Sequence, residues 1–236
     1  LIGPTSNISL KRTNIPLRSL TISNVASRHR TSRANKITTS SSSRLENMER
    51  ENFFPDDLKH LSYSDTLIKH SDGRFILPPL TSANLIQSLD DIKDDYILEI
   101  GSSIGISTAV MSKLALSIDC VETSDVMLPI FKKNLSKDFF QCNLLPDSIN
   151  DIFENKSFDF SKYSKIVVNG SLDQEPNDII KRMNPGAVLV CIIDNQELKH
   201  KIVKYVKSED TCSRIILDEA VTEFIYKFVT KEPFVF

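Results

Sequence analysis

The stretch Glu99-Ile100-Gly101-Ser102-Ser103-Ile104-Gly105 constrains this chain more than any other. An apolar strand, Tyr96 to Ile100, runs into a glycine turn, and the apolar spacing becomes helical from Gly105 to Leu116. Strand, glycine turn and helix in that order are the first βα turn of a nucleotide-binding unit. Gly101 permits the tight turn, and Gly105 lets the helix pack closely on the strand. Helix N-terminal amides there suit a carboxylate group. About twenty residues on, Val121 ends the next strand and Glu122 follows, where a carboxylate can accept from both hydroxyls of a ribose. The G-x-x-x-G spacing lacks the third glycine of a dinucleotide fingerprint and fits that reading less well. A structural βα turn with a surface glutamate is the other alternative.

The alternation continues along the chain. Ser117 to Val121 is a strand, and Asp125 to Leu135 is a helix that Pro129 bends or delays. Asp138 to Cys142 and Lys165 to Asn169 read as strands, Pro176 to Met183 as a helix, and Gly186 to Ile193 as a wholly apolar strand. Strands alternating with helices predict a doubly wound α/β sheet with helices on both faces. Lys201 to Lys207 and Arg214 to Val221 read as two closing antiparallel strands. Ahead of the turn, Leu80, Ala83, Leu85, Ile86 and Leu89 follow helical spacing over Pro79 to Leu89. Arg44 to Glu51 reads as a short helix closed by Phe53-Phe54-Pro55, and Asp56 and Asp57 open a second one reaching Leu61.

With 236 residues the chain supports one sizeable core. Its longest apolar run, Ala187 to Ile193, is far too short to cross a membrane. Cys120, Cys142, Cys191 and Cys212 are widely spaced, with no C-x-x-C pair and no histidine at ligand spacing. No metal is expected, and a reducing compartment is. The net charge of -2 conceals an asymmetry: residues 1–48 hold eight basic residues and one acid, and 49–236 hold 21 basic and 30 acidic ones. Residues 1–43, rich in Ser, Thr, Asn and Arg, cannot bury enough apolar surface to fold alone. They match an organellar import sequence or a retained basic arm. Leu1 in place of Met implies a processed chain or a fragment, and processing is the expectation. The expected organisation is an extended basic arm, 1–43, followed by one domain, 44–236.

Several segments together carry a family resemblance. Arg50-Glu51-Asn52-Phe53-Phe54-Pro55, Tyr63-Ser64-Asp65 and Arg74-Phe75-Ile76-Leu77-Pro78-Pro79 precede the glycine turn; Val121-Glu122, Ile166-Val167-Val168-Asn169-Gly170 and Pro185-Gly186-Ala187 follow it. In that collinear order, through Glu232-Pro233-Phe234-Val235-Phe236, the chain resembles protein-L-isoaspartate O-methyltransferases over roughly residues 35–236. The resemblance implies a Rossmann-like class I methyltransferase fold and S-adenosylmethionine as cofactor. It places Glu99, Gly101, Ser102, Ser103, Gly105, Glu122 and Asn169 at the cofactor site. The chain also departs from the family. Ser103 stands where a glycine is usual and Ile104 where a small polar residue is. Phe75-Ile76-Leu77-Pro78-Pro79 replaces Thr-Ile-Ser-Gln-Pro of the acceptor segment, so both hydroxyls are gone.

Methylating a carboxylate needs no general base, because the nucleophile is already ionised near neutral pH. Proximity and alignment alone can contribute roughly 7–11 kcal/mol, and no catalytic residue is assigned. His70, Asp72 and Arg74 are candidates to line an acceptor pocket; His29, His60 and His200 read as surface residues. Three functions follow. The leading expectation is a degenerate methyltransferase domain serving as a structural subunit of a mitochondrial assembly, on the matrix side. That assembly is of ribosome or respiratory-chain type and is contacted through residues 1–43. The alternatives are an active carboxyl methyltransferase of proteins and an RNA-associated methyltransferase. The acidic body argues against the last, since only the arm can neutralise phosphates.

Overall fold

A computed structural model describes residues 49–136 and 142–228. Its centre is a mixed sheet containing β3 (Tyr96–Ile100), β4 (Ser117–Val121), β5 (Cys142–Leu144), β6 (Lys165–Leu172), β7 (Val188–Ile193), β8 (Lys201–Lys207) and β9 (Cys212–Glu219). The lateral order is β5-β4-β3-β6-β7-β8-β9. Strands β3 to β7 are parallel; β8 and β9 close the sheet as an antiparallel meander. A two-stranded hairpin, β1 (Ile68–Lys69) with β2 (Phe75–Ile76), precedes the sheet.

Side chains alternate across the sheet with period two and so feed two cores. Leu98, Ile100, Ile166, Val168, Leu189 and Cys191 pack on one face with Ile152, Phe153, Ile179 and Ile180. The latter come from α4 (Ile149–Glu154) and α5 (Asn177–Arg182). Ile97, Ile118, Cys120, Val167 and Val190 face the other side, against Leu85, Leu89, Met111 and Phe131. These belong to α1 (Pro79–Ser88), α2 (Ile106–Met111) and α3 (Met127–Leu135) and their flanks. Helices on both faces make the sheet doubly wound, as the alternation implies.

Several boundaries differ from the sequence reading. The helix after the turn stops at Met111, five residues early, because Leu116 N–H bonds Asp95 O to start β4 in register with β3. Helix α3 begins at Met127, which leaves Pro129 in the first turn, where its missing N–H is not needed. Of the expected strand Asp138 to Cys142, only Cys142 is described, and the strand runs from there to Leu144. Of the expected helix Arg44 to Glu51, residues 44–48 lie outside the described residues, and Arg50–Phe53 is a 3-10 turn. The second short helix is likewise a 3-10 turn, Lys59–Leu61, with Asp56 paired to Lys59 at 2.6 Å ahead of it. Strand β6 overruns its expected end by three residues, and β9 starts at Cys212 opposite Lys207. Helix α4 and the hairpin β1–β2 escaped the sequence reading, being too short to show a period.

The overrun of β6 has a consequence. Strand β3 pairs β6 only as far as Val168, while β7 stays with β6 at Ser171 and Leu172. A three-residue strand, β10 (Phe224–Tyr226), pairs those same two residues in parallel. It therefore lies in the lane that β3 vacates at Gly101. No helix among the described residues is long and apolar enough to cross a membrane.

Candidate functional site

The turn between β3 and α2 lies at the carboxyl edge of the sheet, where α/β proteins bind ligands. Gly101 and Gly105 both have left-handed backbones, with φ of +83° and +87°. What approaches Gly105 is α3: a Cβ there would lie 3.2 Å from Phe131 Cδ2 and 3.5 Å from Leu135. Ser103 has φ of +52°, the conformation a glycine would hold without cost, and its Oγ donates to Phe75 O at 3.0 Å. Four of the turn's amides are already used. Gly101 and Ser102 N–H donate to Val121 O, Gly105 N–H to Ser102 O, and Ser103 N–H to Glu122 Oε2 at 2.7 Å.

Glu99 is fully buried beneath the turn. Its carboxylate accepts from Ser107, Thr108 and Asn169, the last at 2.8 Å. Burial raises its pKa above the ordinary range, and those three hydrogen bonds oppose the shift. Asn169, from the carboxyl end of β6, thus belongs to the support of the turn.

Glu122 follows β4, and its side chain is wholly buried. Arg74 grips it with Nη2 to Oε2 at 2.7 Å and Nε to Oε1 at 3.2 Å. Thr123 and Ser124 N–H add bonds to Oε1 at 3.0 Å. With Ser103 N–H that makes five donors on one carboxylate. Asp72, two residues before Arg74, accepts from Ser124 Oγ. Asp72 and Arg74 therefore clamp the β1–β2 hairpin onto the loop after β4; this is their observed role, in place of the acceptor pocket the sequence suggested.

Strand β10 fills the remaining space above the turn. A Cβ at Gly101 would overlap Ile225 Cδ1, and one at Gly170 would lie 2.6 Å from Ile225 Cβ and 2.9 Å from Phe75 Cζ. Ser171 N–H donates to Glu223 O at 2.9 Å, and Phe228 N–H to Asp173 Oδ1 at 2.9 Å. Tyr226 stacks on Phe153 of α4 with centroids 4.4 Å apart, and Phe228 meets both rings edge-on. Beside the turn, among Arg50, Leu77, Ser102 and Asn169, a cavity of about 20 Å³ is left. That holds a water, whereas small-molecule pockets measure about 300–1,000 Å³.

The structure thus brings together all seven residues expected at the site: Glu99, Gly101, Ser102, Ser103, Gly105, Glu122 and Asn169. Arg74's grip on Glu122 and Ile225's place over Gly101 were missed. Neither leaves a local signal, since both depend on contacts across 48 residues and more. Gly170, next to Asn169 in the sequence, could have been found as a second bare position facing the cleft.

A doubly wound sheet whose glycine turn, buried acid and second-strand glutamate meet at its carboxyl edge defines a class I methyltransferase-type fold. The protein-family model described as Protein-L-isoaspartate(D-aspartate) O-methyltransferase (PCMT) matches residues 26–231, and the chain belongs to that family. The Protein-L-isoaspartate O-methyltransferase of Helicobacter pylori (strain G27) is 26% identical over 175 residues, 72% of this chain and 79% of that protein. The protein of that name from Hyperthermus butylicus is 26% identical over 174 residues, 68% and 70% of the two chains. Among solved structures, a putative isoaspartyl methyltransferase from Plasmodium falciparum in complex with S-adenosyl-L-homocysteine superposes with a TM-score of 0.67. It is 15% identical, with 87% of this chain and 96% of that one covered, a likeness of fold.

Proposed function

We propose that this chain is a non-catalytic member of the isoaspartyl methyltransferase family, serving as a structural subunit of a mitochondrial assembly on the matrix side. Family membership and the structural neighbour bound to S-adenosyl-L-homocysteine imply S-adenosylmethionine as the cofactor for which such a site is built. The residue types suit it: a glycine turn, a buried acid and a glutamate after the second strand. Their arrangement does not. The observation that carries the reading is the filled cleft, with Ile225 over Gly101 and Arg74 on the glutamate that would meet a ribose. The acceptor segment points the same way, because Phe75 and Leu77 stand where the family has hydroxyls. For the assembly role, support comes from the charge asymmetry and from β9. This outermost strand exposes Ile215, Ile216 and Leu217, and no strand among the described residues covers its outer edge. An open apolar edge of that kind is normally buried by a partner.

An active protein carboxyl methyltransferase remains the second reading. The family names of the relatives favour it, as do Gly101 and Gly170, which stay bare beneath Ile225. Calorimetry of the full chain with S-adenosylmethionine and S-adenosylhomocysteine separates the two. The non-catalytic reading expects no binding heat from wild type, and weak binding once Arg74→Ala and Ile225→Gly are combined in a protein shown by circular dichroism to be folded. Binding by wild type that Glu122→Ala abolishes would establish the active reading instead.

A further inference from the structure

We propose that a second copy of this chain pairs with β9 edge to edge, about a two-fold axis through Ile216. Such a partner buries the open edge whether or not the domain binds cofactor, and the assembly then receives the chain as a pair. Of the six large apolar side chains exposed among the described residues, four are Ile215, Ile216, Leu217 and Val221, in β9 and just beyond it. A strand of eight residues with no glycine or proline, open along one side, is a template for a further strand.

The phase of the ladder decides which residues offer backbone groups outward. Lys207 N–H donates to Ala187 O, and Lys207 O accepts from Gly186 N–H, so Lys207 turns its peptide groups away from β9. By alternation Tyr205, Val203 and Lys201 do the same. Their partners on β9, namely Cys212, Arg214, Ile216 and Glu219, therefore turn theirs to the open edge. Ile216 to Glu219 is three residues against two on β8, a bulge. In a two-fold pair one residue faces its own copy. Centring on Arg214, Asp218 or Glu219 sets like charges face to face, and centring on Ile215 sets Arg214 against Ile216. Cys212 and Ser213 start the strand and would leave most of the apolar run uncovered. Ile216 remains: it exchanges both backbone bonds with its own copy, and the bulge brings Arg214 opposite Glu219 of the second copy. Arg214 and Glu219 stand opposite Tyr205 and Lys201, on one face of the sheet, so they meet as a cross-strand ion pair. It links two existing sets, Arg214 with Glu175 and Glu197 at 2.5 and 3.0 Å, and Lys201 with Glu219 at 2.5 Å.

Sedimentation equilibrium of the full chain should show a monomer–dimer equilibrium. Ile216→Lys, at a half-exposed position, puts like charges on the axis and should weaken it about tenfold or more, with circular dichroism unchanged. Residues in a hydrogen-bonded antiparallel pair have Cα atoms about 5.5 Å apart, within disulfide reach. Ile216→Cys should therefore cross-link to its own copy under mild oxidation, whereas Ile215→Cys and the wild type, with its Cys212, should not. A chain monomeric at every concentration, a dimer that Ile216→Lys leaves unchanged, or cross-linking at position 215 or 212 in place of 216 would overturn the proposal. A monomer whose Ile216→Lys variant fails to enter the native assembly would overturn it too, giving the edge to another protein and leaving the assembly reading in place.

Discussion

Removing the Arg74 guanidinium leaves the Glu122 carboxylate buried with only backbone donors. Breaking a buried pair from one side typically costs about 3–5 kcal/mol, and here three amides retain part of the compensation. Arg74→Ala is therefore expected to lower unfolding free energy by about 2–3 kcal/mol, read from urea midpoints. A loss below half of that would mean the pair is not what holds the hairpin to the loop. Ser103 sets a closer balance. Its left-handed backbone costs about 1–2 kcal/mol, while its hydroxyl bond to Phe75 O contributes about 1 kcal/mol. Ser103→Gly should change stability by less than about 1 kcal/mol and should not create cofactor binding, since Ile225 and Arg74 stay in place. Glu99 brings a pH dependence. Because burial raises its folded pKa above the ordinary value of 4.5, the folded chain holds the proton more tightly than the unfolded one. Its contribution is complete below that ordinary value and is lost as pH rises through the raised one. Wild type should lose stability relative to Glu99→Gln as pH rises above the ordinary value; a flat or opposite difference would refute the assignment.

Strand β10 is three residues long and half-buried, so its hold comes from neighbours more than from its own ladder. The chief neighbour is α4, which Ser148 and Asp151 cap reciprocally and whose Phe153 stacks on Tyr226. Tyr226→Ala removes that stack, worth about 0.5–1.5 kcal/mol beyond burial. Amide exchange should then rise across Phe224–Phe228 and at Ser171, with β3 and β4 still protected. Uniform acceleration over the sheet would show that β10 is not a separate unit. The parallel strands β3, β4, β6 and β7 were legible in the sequence because each is a buried apolar run ended by a turn residue. Strand β10 was not, since three residues carry no period and its partner lies some fifty residues earlier. The same split holds for the site. The glycine turn and Glu122 are local signals, but nothing near Arg74 or Ile225 tells that they will occupy the lane beyond β3.

At the scale of the whole molecule, charge is divided more sharply than composition suggests. Residues 1–48 carry +7 and the remainder -9. The family match runs from residue 26 to 231, so it takes in five of the eight basic residues of 1–48 and leaves Lys11, Arg12 and Arg18 outside. If these cations hold the subunit in an assembly, attachment depends on ionic strength, and the slope identifies the surface. Neutralising phosphates makes the logarithm of the binding constant fall with that of salt by about 0.9 per phosphate contacted. Seven net charges on RNA would then weaken binding by several orders of magnitude over a fourfold rise in salt. Protein carboxylates release no condensed counterions, so the dependence there is shallower. The expected outcome is release of the chain from the native assembly as ionic strength rises, and failure of an Arg28→Glu, Arg30→Glu, Arg33→Glu variant to incorporate. Sedimentation of washed assemblies measures both. Retention at all salt concentrations with the variant incorporated normally would assign attachment to an apolar surface, with the exposed edge of β9 the first place to look for it.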